Sequence, residues 1–260
     1  HRTEPRIPND GFTTWQFSHA PRDDWPEGEH DYADWVQEKG ADLTGLRESE
    51  DGVPAELHQT TWATTRAIEF IDHHDDGEPW MLNINVYDPH PPFIPPKSYE
   101  SKFDQEAMPG PHFQESDLKA QEKLKEADFQ TESRTPEECQ AKDAQAKYYA
   151  MIALIDDEFG RLLEHLKASR QADNTLIIFT SDHGETLGDH GLMYKGCRFY
   201  EGLVRVPLIF HWPGQVGAGG KFDQLTELLD LSATLLDFAG ATIPDYHQGF
   251  SLRPLITGKQ

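Results

Sequence analysis

Apolar and polar positions along the chain follow two different periods, and the switches between them outline its elements. Across residues 54–72, Leu57, Trp62, Ala67, Phe70 and Ile71 fall on a rough helical stripe, which predicts a helix. Gly77 and Pro79 break that pattern, and residues 80–87 (WMLNINVY) then alternate with the period of two that a strand requires. The run Asp88-Pro89-His90-Pro91-Pro92 stops the strand, because proline has no amide hydrogen with which to extend a ladder. Tyr148, Ile152, Ile155, Phe159, Leu162 and Leu166 recur at alternating spacings of four and three, the clearest amphipathic helix in the chain. After a turn at Asp173 and Asn174, residues 175–180 (TLIIFT) are almost wholly apolar, as expected of a strand buried on both faces of a parallel sheet. Residues 206–211 (VPLIFH) read as a further strand. Leu225, Leu228, Leu229, Leu235 and Leu236, with Ser232 on the same stripe, make the apolar face of a helix that stops near Gly240.

Strands alternating with helices predict an α/β fold, a mostly parallel sheet flanked by helices. Residues 1–53, rich in Pro, Gly, Asp, Trp and His, read as long loops with short elements, and residues 116–142 as a solvated helical excursion. No internal repeat and no composition shift marks a second domain, so residues 1–260 are read as one domain, long enough to bury a substantial core.

Charge narrows the partners. The formal net charge of −23 repels nucleic acid and anionic membranes, so neither is expected as a partner. It also repels an anionic substrate, which would then need a local cation, a metal ion or a well-placed lysine; a merely solubilising acidic exterior is the plainer reading. No apolar run is long enough to span a bilayer. The chain opens His-Arg-Thr-Glu-Pro, without the apolar core of a signal peptide, which reads as a start other than the native one. Two cysteines, Cys139 and Cys197, permit one disulfide but no disulfide framework.

In open α/β sheets ligands bind beyond the carboxyl ends of the strands. Two predicted strands end in chemically rich segments, and a parallel sheet would bring both to one edge. The first runs into Asp88 and His90. His90 sits among Pro89, Pro91, Pro92, Pro95 and Pro96, a stiff setting that suits a fixed general acid or base. A histidine packed on Phe93 and the proline rings fits equally well, and composition leaves both readings open. The second strand runs into Ser181-Asp182-His183-Gly184-Glu185-Thr186-Leu187-Gly188-Asp189-His190-Gly191, with three acids, two histidines and three glycines in eleven residues. The glycines permit tight turns, and Asp182 with His183 offers a mixed oxygen and nitrogen donor set for a divalent cation. The alternative is a glycine-rich turn whose aspartate caps the next helix. Lys195 follows closely and could hold an anionic oxygen as a point charge. The sequence His73-His74-Asp75-Asp76 looks more like a metal cluster than either, but it precedes its strand, away from the carboxyl edge, and is read as a solvated loop.

These residues carry a resemblance. The run from Ser181 to Gly196, then Phe199-Tyr200-Glu201-Gly202, Val204-Arg205-Val206-Pro207-Leu208-Ile209 and Trp212-Pro213-Gly214, resembles the C-terminal signature of the sulfatases. Tyr87-Asp88-Pro89-His90-Pro91-Pro92-Phe93 resembles that family's internal histidine loop. Leu229-Asp230-Leu231, Ala239-Gly240 and the run from Gly249 to Leu255 follow in the family's order, so that the likeness extends from about residue 54 to the end and more loosely before it. The resemblance implies an alkaline-phosphatase-like α/β fold with its N-terminal part missing, one divalent cation, usually Ca2+, and a formylglycine nucleophile that attacks the sulfur of a sulfate ester. It makes Asp182 and His183 metal ligands, puts Lys195 against the sulfate oxygens and His90 beside the leaving alcohol, and leaves His190 a lesser pocket residue. Glu201 and Arg205 are expected to be structural, as a mutual ion pair. The nucleophile motif Cys/Ser-x-Pro-x-Arg does not occur; Cys139 and Cys197 stand in other contexts. His1 could belong to a lysine-histidine element of the family. The expectation is therefore a sulfuric ester hydrolase whose middle and C-terminal part this is, inactive as a fragment, acting on a small-molecule or carbohydrate sulfate, with a periplasmic or secreted location suggested by the family alone. A phosphonate or phosphate ester hydrolase of the same superfamily and an inactive sulfate-binding homologue are the alternatives.

Overall fold

A computed structural model describes residues 11–20, 29–74, 77–123 and 132–258; the expectation for His1 falls outside them. The described residues divide into two compact units. One takes those up to His165 together with Leu187–Tyr194, and the other takes Leu166–Thr186 and those from Lys195 onward. The sequence carries no sign of this division because the chain passes between the units three times without a linker.

The first unit is helical. Helix α1 (Asp31–Glu38) carries Tyr32, Trp35 and Val36 at helical spacing, all buried. His30 caps it, its ring Nδ1 accepting from the Ala33 amide at 3.1 Å. Helix α2 (Leu43–Glu48) is capped by Asp42. Helix α3 (Gln59–His73) brings Trp62 onto Tyr32, with ring centroids 5.8 Å apart, and Leu43, Leu46 and Leu57 close the cluster. This core lies partly in a segment expected to be loop. A helix of eight residues offers one apolar triplet to be read, and flanking Pro, Gly and Asp hide it.

Short helices α4 (Lys97–Glu100) and α5 (Glu115–Glu122) precede the long α6 (Ala141–Ala168). The predicted stripe on α6 is displaced. Ala150, Met151, Leu154, Leu162 and Leu166 are buried, whereas Ile152 is 41% exposed. The small residues Ala144, Ala146 and Ala150 are buried as well, a signal that weighting by side-chain size overlooks.

In the second unit, β1 (Ile177–Thr180) pairs antiparallel with β2 (Leu208–His211), in the register Ile177↔His211 to Thr180↔Leu208. The expected parallel sheet is therefore not what the described residues form, and β1 is half-buried rather than covered on both faces. Antiparallel neighbours are common in otherwise parallel sheets. Residues 80–87 keep alternating exposure from Leu82 to Val86 but join no ladder among the described residues. Helix α7 (Glu201–Val204) lies between the strands in sequence, and α8 (Leu229–Phe238) and α9 (Arg253–Thr257) follow.

Helix α8 forms where predicted but buries the opposite side. Leu225, Leu228, Leu229 and Leu235 are exposed, while Asp230, Ala233 and Thr234 are buried. The polar residues are inside because they hold backbone. Asp230 accepts from the Phe250 amide at 2.8 Å and the Glu227 amide at 2.9 Å, and Thr234 Oγ1 accepts from the Leu252 amide at 2.8 Å. Hydrogen bonds thus attach the segment around residue 250 to α8, where the periodicity predicted an apolar contact.

Candidate active site

The chain leaves β1 at Thr180 and turns sharply. Ser181 Oγ donates to the His183 carbonyl at 2.7 Å, and the His183 amide donates to Asp182 Oδ1 at 3.0 Å. Next comes a close crossing of two backbone segments. The Gly184 amide donates to the Leu203 carbonyl at 2.7 Å, and a Cβ on Gly184 would lie 2.0 Å from the Gly202 carbonyl oxygen. Only glycine fits at that approach.

This turn presents a defined donor set. The imidazole Nδ1 of His183 lies 2.7 Å from the Gly184 carbonyl oxygen. A carbonyl only accepts, so the network assigns the ring proton to Nδ1 and leaves a lone pair on Nε2. Nε2 faces Asp182 Oδ2 at 3.5 Å and the ammonium of Lys195 at 3.1 Å. The Asp182 side chain is 84% exposed. The structure thus brings Asp182, His183 and Lys195 close together. A histidine that donates through one nitrogen to a backbone carbonyl and offers the other is the usual arrangement of a metal-bound imidazole. The two donors fit a divalent cation as part of its shell; among the described residues no three His, Cys, Asp or Glu side chains form a complete one.

His90 lies in the other unit, on a compact turn. Its amide donates to the Tyr87 carbonyl at 3.1 Å, and its ring Nδ1 lies 2.7 Å from the Pro91 carbonyl and 2.9 Å from the Tyr87 hydroxyl. Tyr87 also donates to Pro91 at 3.0 Å. The ring is held by Tyr87, at 4.9 Å between centroids, rather than by Phe93, which packs on Tyr148 and Tyr194. Nδ1 again carries the proton, leaving a lone pair on Nε2.

Asp88, in the same turn, has partners that the sequence did not single out. Asp88 is buried and accepts from Thr60 Oγ1 at 2.7 Å, with His58 Nδ1 at 3.4 Å. His58, Gln59 and Thr60, the start of α3, are all buried. Three consecutive polar residues opening a helix read from sequence only as a cap. Burial pushes the Asp88 carboxyl up, and His58 and Thr60 pull it back.

The remaining candidates have other occupations. His190 lies in the first unit, with Nδ1 3.6 Å from Asp117 on α5. His73 and His74 turn their Nδ1 atoms back onto the Glu69 and Phe70 carbonyls, closing the end of α3; Asp75 and Asp76 fall outside the described residues. Glu201 and Arg205 do form an ion pair, at 3.6 Å, with both side chains more than 80% exposed. Cys139 and Cys197 are separate thiols, and burial pushes that of Cys139 up.

The architecture is that of the alkaline-phosphatase-like hydrolases. The phosphonate monoester hydrolase of Agrobacterium radiobacter superposes with a TM-score of 0.77 at 27% identity, covering 90% of this chain and 52% of that one. The sulfatase family model matches residues 5–241, beginning well before the region where the motifs are dense, and the chain belongs to the sulfatase family. It is 35% identical over 239 residues to an arylsulfatase of Clostridium perfringens (87% of this chain, 50% of the relative), and 30% identical over 226 residues to a choline-sulfatase of Rhizobium meliloti (84% and 42%). The chain spans about half the length of these relatives.

Proposed function

We propose that the enzyme containing this chain hydrolyses a sulfate monoester of a small molecule or carbohydrate, and that this chain is the middle and C-terminal part of its catalytic domain. The observation that carries the reading is the proton-free Nε2 of His183, flanked by the Asp182 carboxylate and the Lys195 ammonium. With the flexible Lys195 stem turned from that lone pair to an anion, Asp182 and His183 would be left to a cation beside it. Asp182 and His183 would hold a divalent cation, Ca2+ in most of the family, which lends positive charge to the sulfate oxygens. Lys195 adds a second positive charge against the same oxygens, where negative charge gathers as the ester bond breaks. His90, as imidazolium, donates its Nε2 proton to the departing alkoxide oxygen, while its Nδ1 proton stays on the Pro91 carbonyl and fixes the ring plane. The nucleophile, a formylglycine in this family, belongs to the Cys/Ser-x-Pro-x-Arg motif rather than to Cys139 or Cys197.

The decisive assay compares hydrolysis of an aryl sulfate with that of a phosphonate monoester, before and after Asp182→Ala, with metal content measured alongside. Preferred sulfate turnover that disappears together with bound metal is expected. Full activity in Asp182→Ala sinks the metal assignment. Preference for the phosphonate favours the second reading, which the likeness to a phosphonate monoester hydrolase supports.

A further inference from the structure

We propose that Asp88 is a positioning residue for His90, clamped by the first turn of α3. The inference rests on the reading of His90 as the general acid. One residue, Pro89, separates the two, and its ring restricts the backbone rotation between them. The carboxyl of Asp88 is fastened to Thr60 at 2.7 Å and faces His58 at 3.4 Å, in surroundings where all three side chains are buried. The same helical turn reaches His90 by a second route. Gln59 Nε2 donates to the His19 carbonyl at 2.9 Å, the His19 ring packs on Tyr87 at 5.8 Å, and Tyr87 contacts the His90 ring and its Nδ1.

The turn from Tyr87 to Pro91 is therefore a small rigid body attached at two points to the start of a 15-residue helix. A loop of this kind, without ladder hydrogen bonds, would otherwise let its imidazole wander by an ångström or more. Misplacement on that scale costs an acid catalyst up to about a hundredfold. Asparagine at position 88 keeps the shape but weakens the bond to Thr60, because a neutral amide oxygen accepts less strongly than a carboxylate.

Leaving-group dependence tests the idea. An alkyl sulfate needs its departing oxygen protonated, whereas 4-nitrophenyl sulfate scarcely does. Asp88→Asn is expected to lower kcat/KM for the alkyl ester by roughly ten- to a hundredfold and for the nitrophenyl ester by much less. His90→Ala should show the same discrimination more strongly, and the double variant should be no worse than His90→Ala alone. Equal losses on both esters, or additive losses in the double variant, would overturn the proposal and mark Asp88 as structural. A His90→Ala enzyme without discrimination overturns the acid reading itself, which separates the two failures. Should Asp88→Asn not fold, Thr60→Val decides from the helix side: a selective loss on the alkyl ester that Thr60→Ser restores supports the clamp, and alkyl turnover like that of the wild type overturns it.

Discussion

At the scale of single residues, chemistry and tight geometry are concentrated between Ser181 and Lys195. Lys195 donates to His183 through the tip of a flexible stem, so its removal should cost rate rather than fold. Lys195→Ala is expected to lower kcat by about 10²–10³-fold, the usual loss for one donor to a developing negative charge, with an unchanged melting temperature. An unchanged rate removes it from the site. Gly184→Ala behaves in the opposite way. The new methyl group would overlap the Gly202 carbonyl, and one or both segments must shift, at a cost of roughly 1–3 kcal/mol read as a lower urea midpoint. The candidate residues stood out in the sequence because acids, histidines, glycines and a lysine crowd into one short stretch. The partners of Asp88, Thr60 and His58, did not. Each is an ordinary polar residue in sequence, and the bond from Thr60 to Asp88 spans 28 positions that only the folded chain closes.

At the scale of elements, α8 is the instructive case. Its existence and its end near Gly240 follow from the sequence, but its orientation does not. Periodicity reports which face is apolar, and the described fold chose the face that could serve backbone amides. The C-terminal segment adds a second clasp. Asp237 accepts from Ser251 Oγ and, at 3.0 Å, from the Arg253 guanidinium, which also lies over the Phe238 ring. The Ser251 bond, with smaller help from Arg253, holds the Asp237 carboxyl below its ordinary value of 3.8. A carboxyl depressed in the folded state binds fewer protons than in the unfolded chain, so its stabilisation is complete above pH 3.8 and fades as pH falls through the folded value. Asp237→Asn should therefore melt lower than the wild type at neutral pH, with the gap closing in acid. A gap independent of pH would assign the effect to packing. Strands were harder to place than helices for a related reason: residues 80–87 have strand periodicity, but pairing depends on a neighbour that periodicity does not name.

At the scale of the whole molecule, charge and chemistry oppose each other. The chain carries −23 overall, whereas the proposed substrate is an anion. On the proposed function, long-range repulsion would slow the approach of a sulfate ester, and Lys195 would offset it only at close range. At about 0.1 M salt, charges more than roughly 10 Å apart are screened from one another. kcat/KM for an anionic ester should therefore rise with added monovalent salt before levelling off. A steady fall would mean that the local positive charge governs capture. Among the described residues, no helix is long and apolar enough to cross a membrane. The antiparallel sense of the β1–β2 pair was not legible, because apolar strands look alike in either direction.

Neither unit is a continuous stretch of chain. The first is complete only when Leu187–Tyr194 joins it, with Gly188 against Ala141 and the Gly191 carbonyl accepting from the Arg134 amide. A ribosome delivers roughly 5–20 residues per second, so the long helix emerges before the segment that must pack on its first turn. During synthesis that side of the helix waits, exposed, while the turn bearing Asp182 and His183 is made in between. Vectorial synthesis therefore lets the first unit close before the second: the turn bearing Asp182 and His183 is held only once Gly202 and Leu203, and then β2, have followed Tyr194 out.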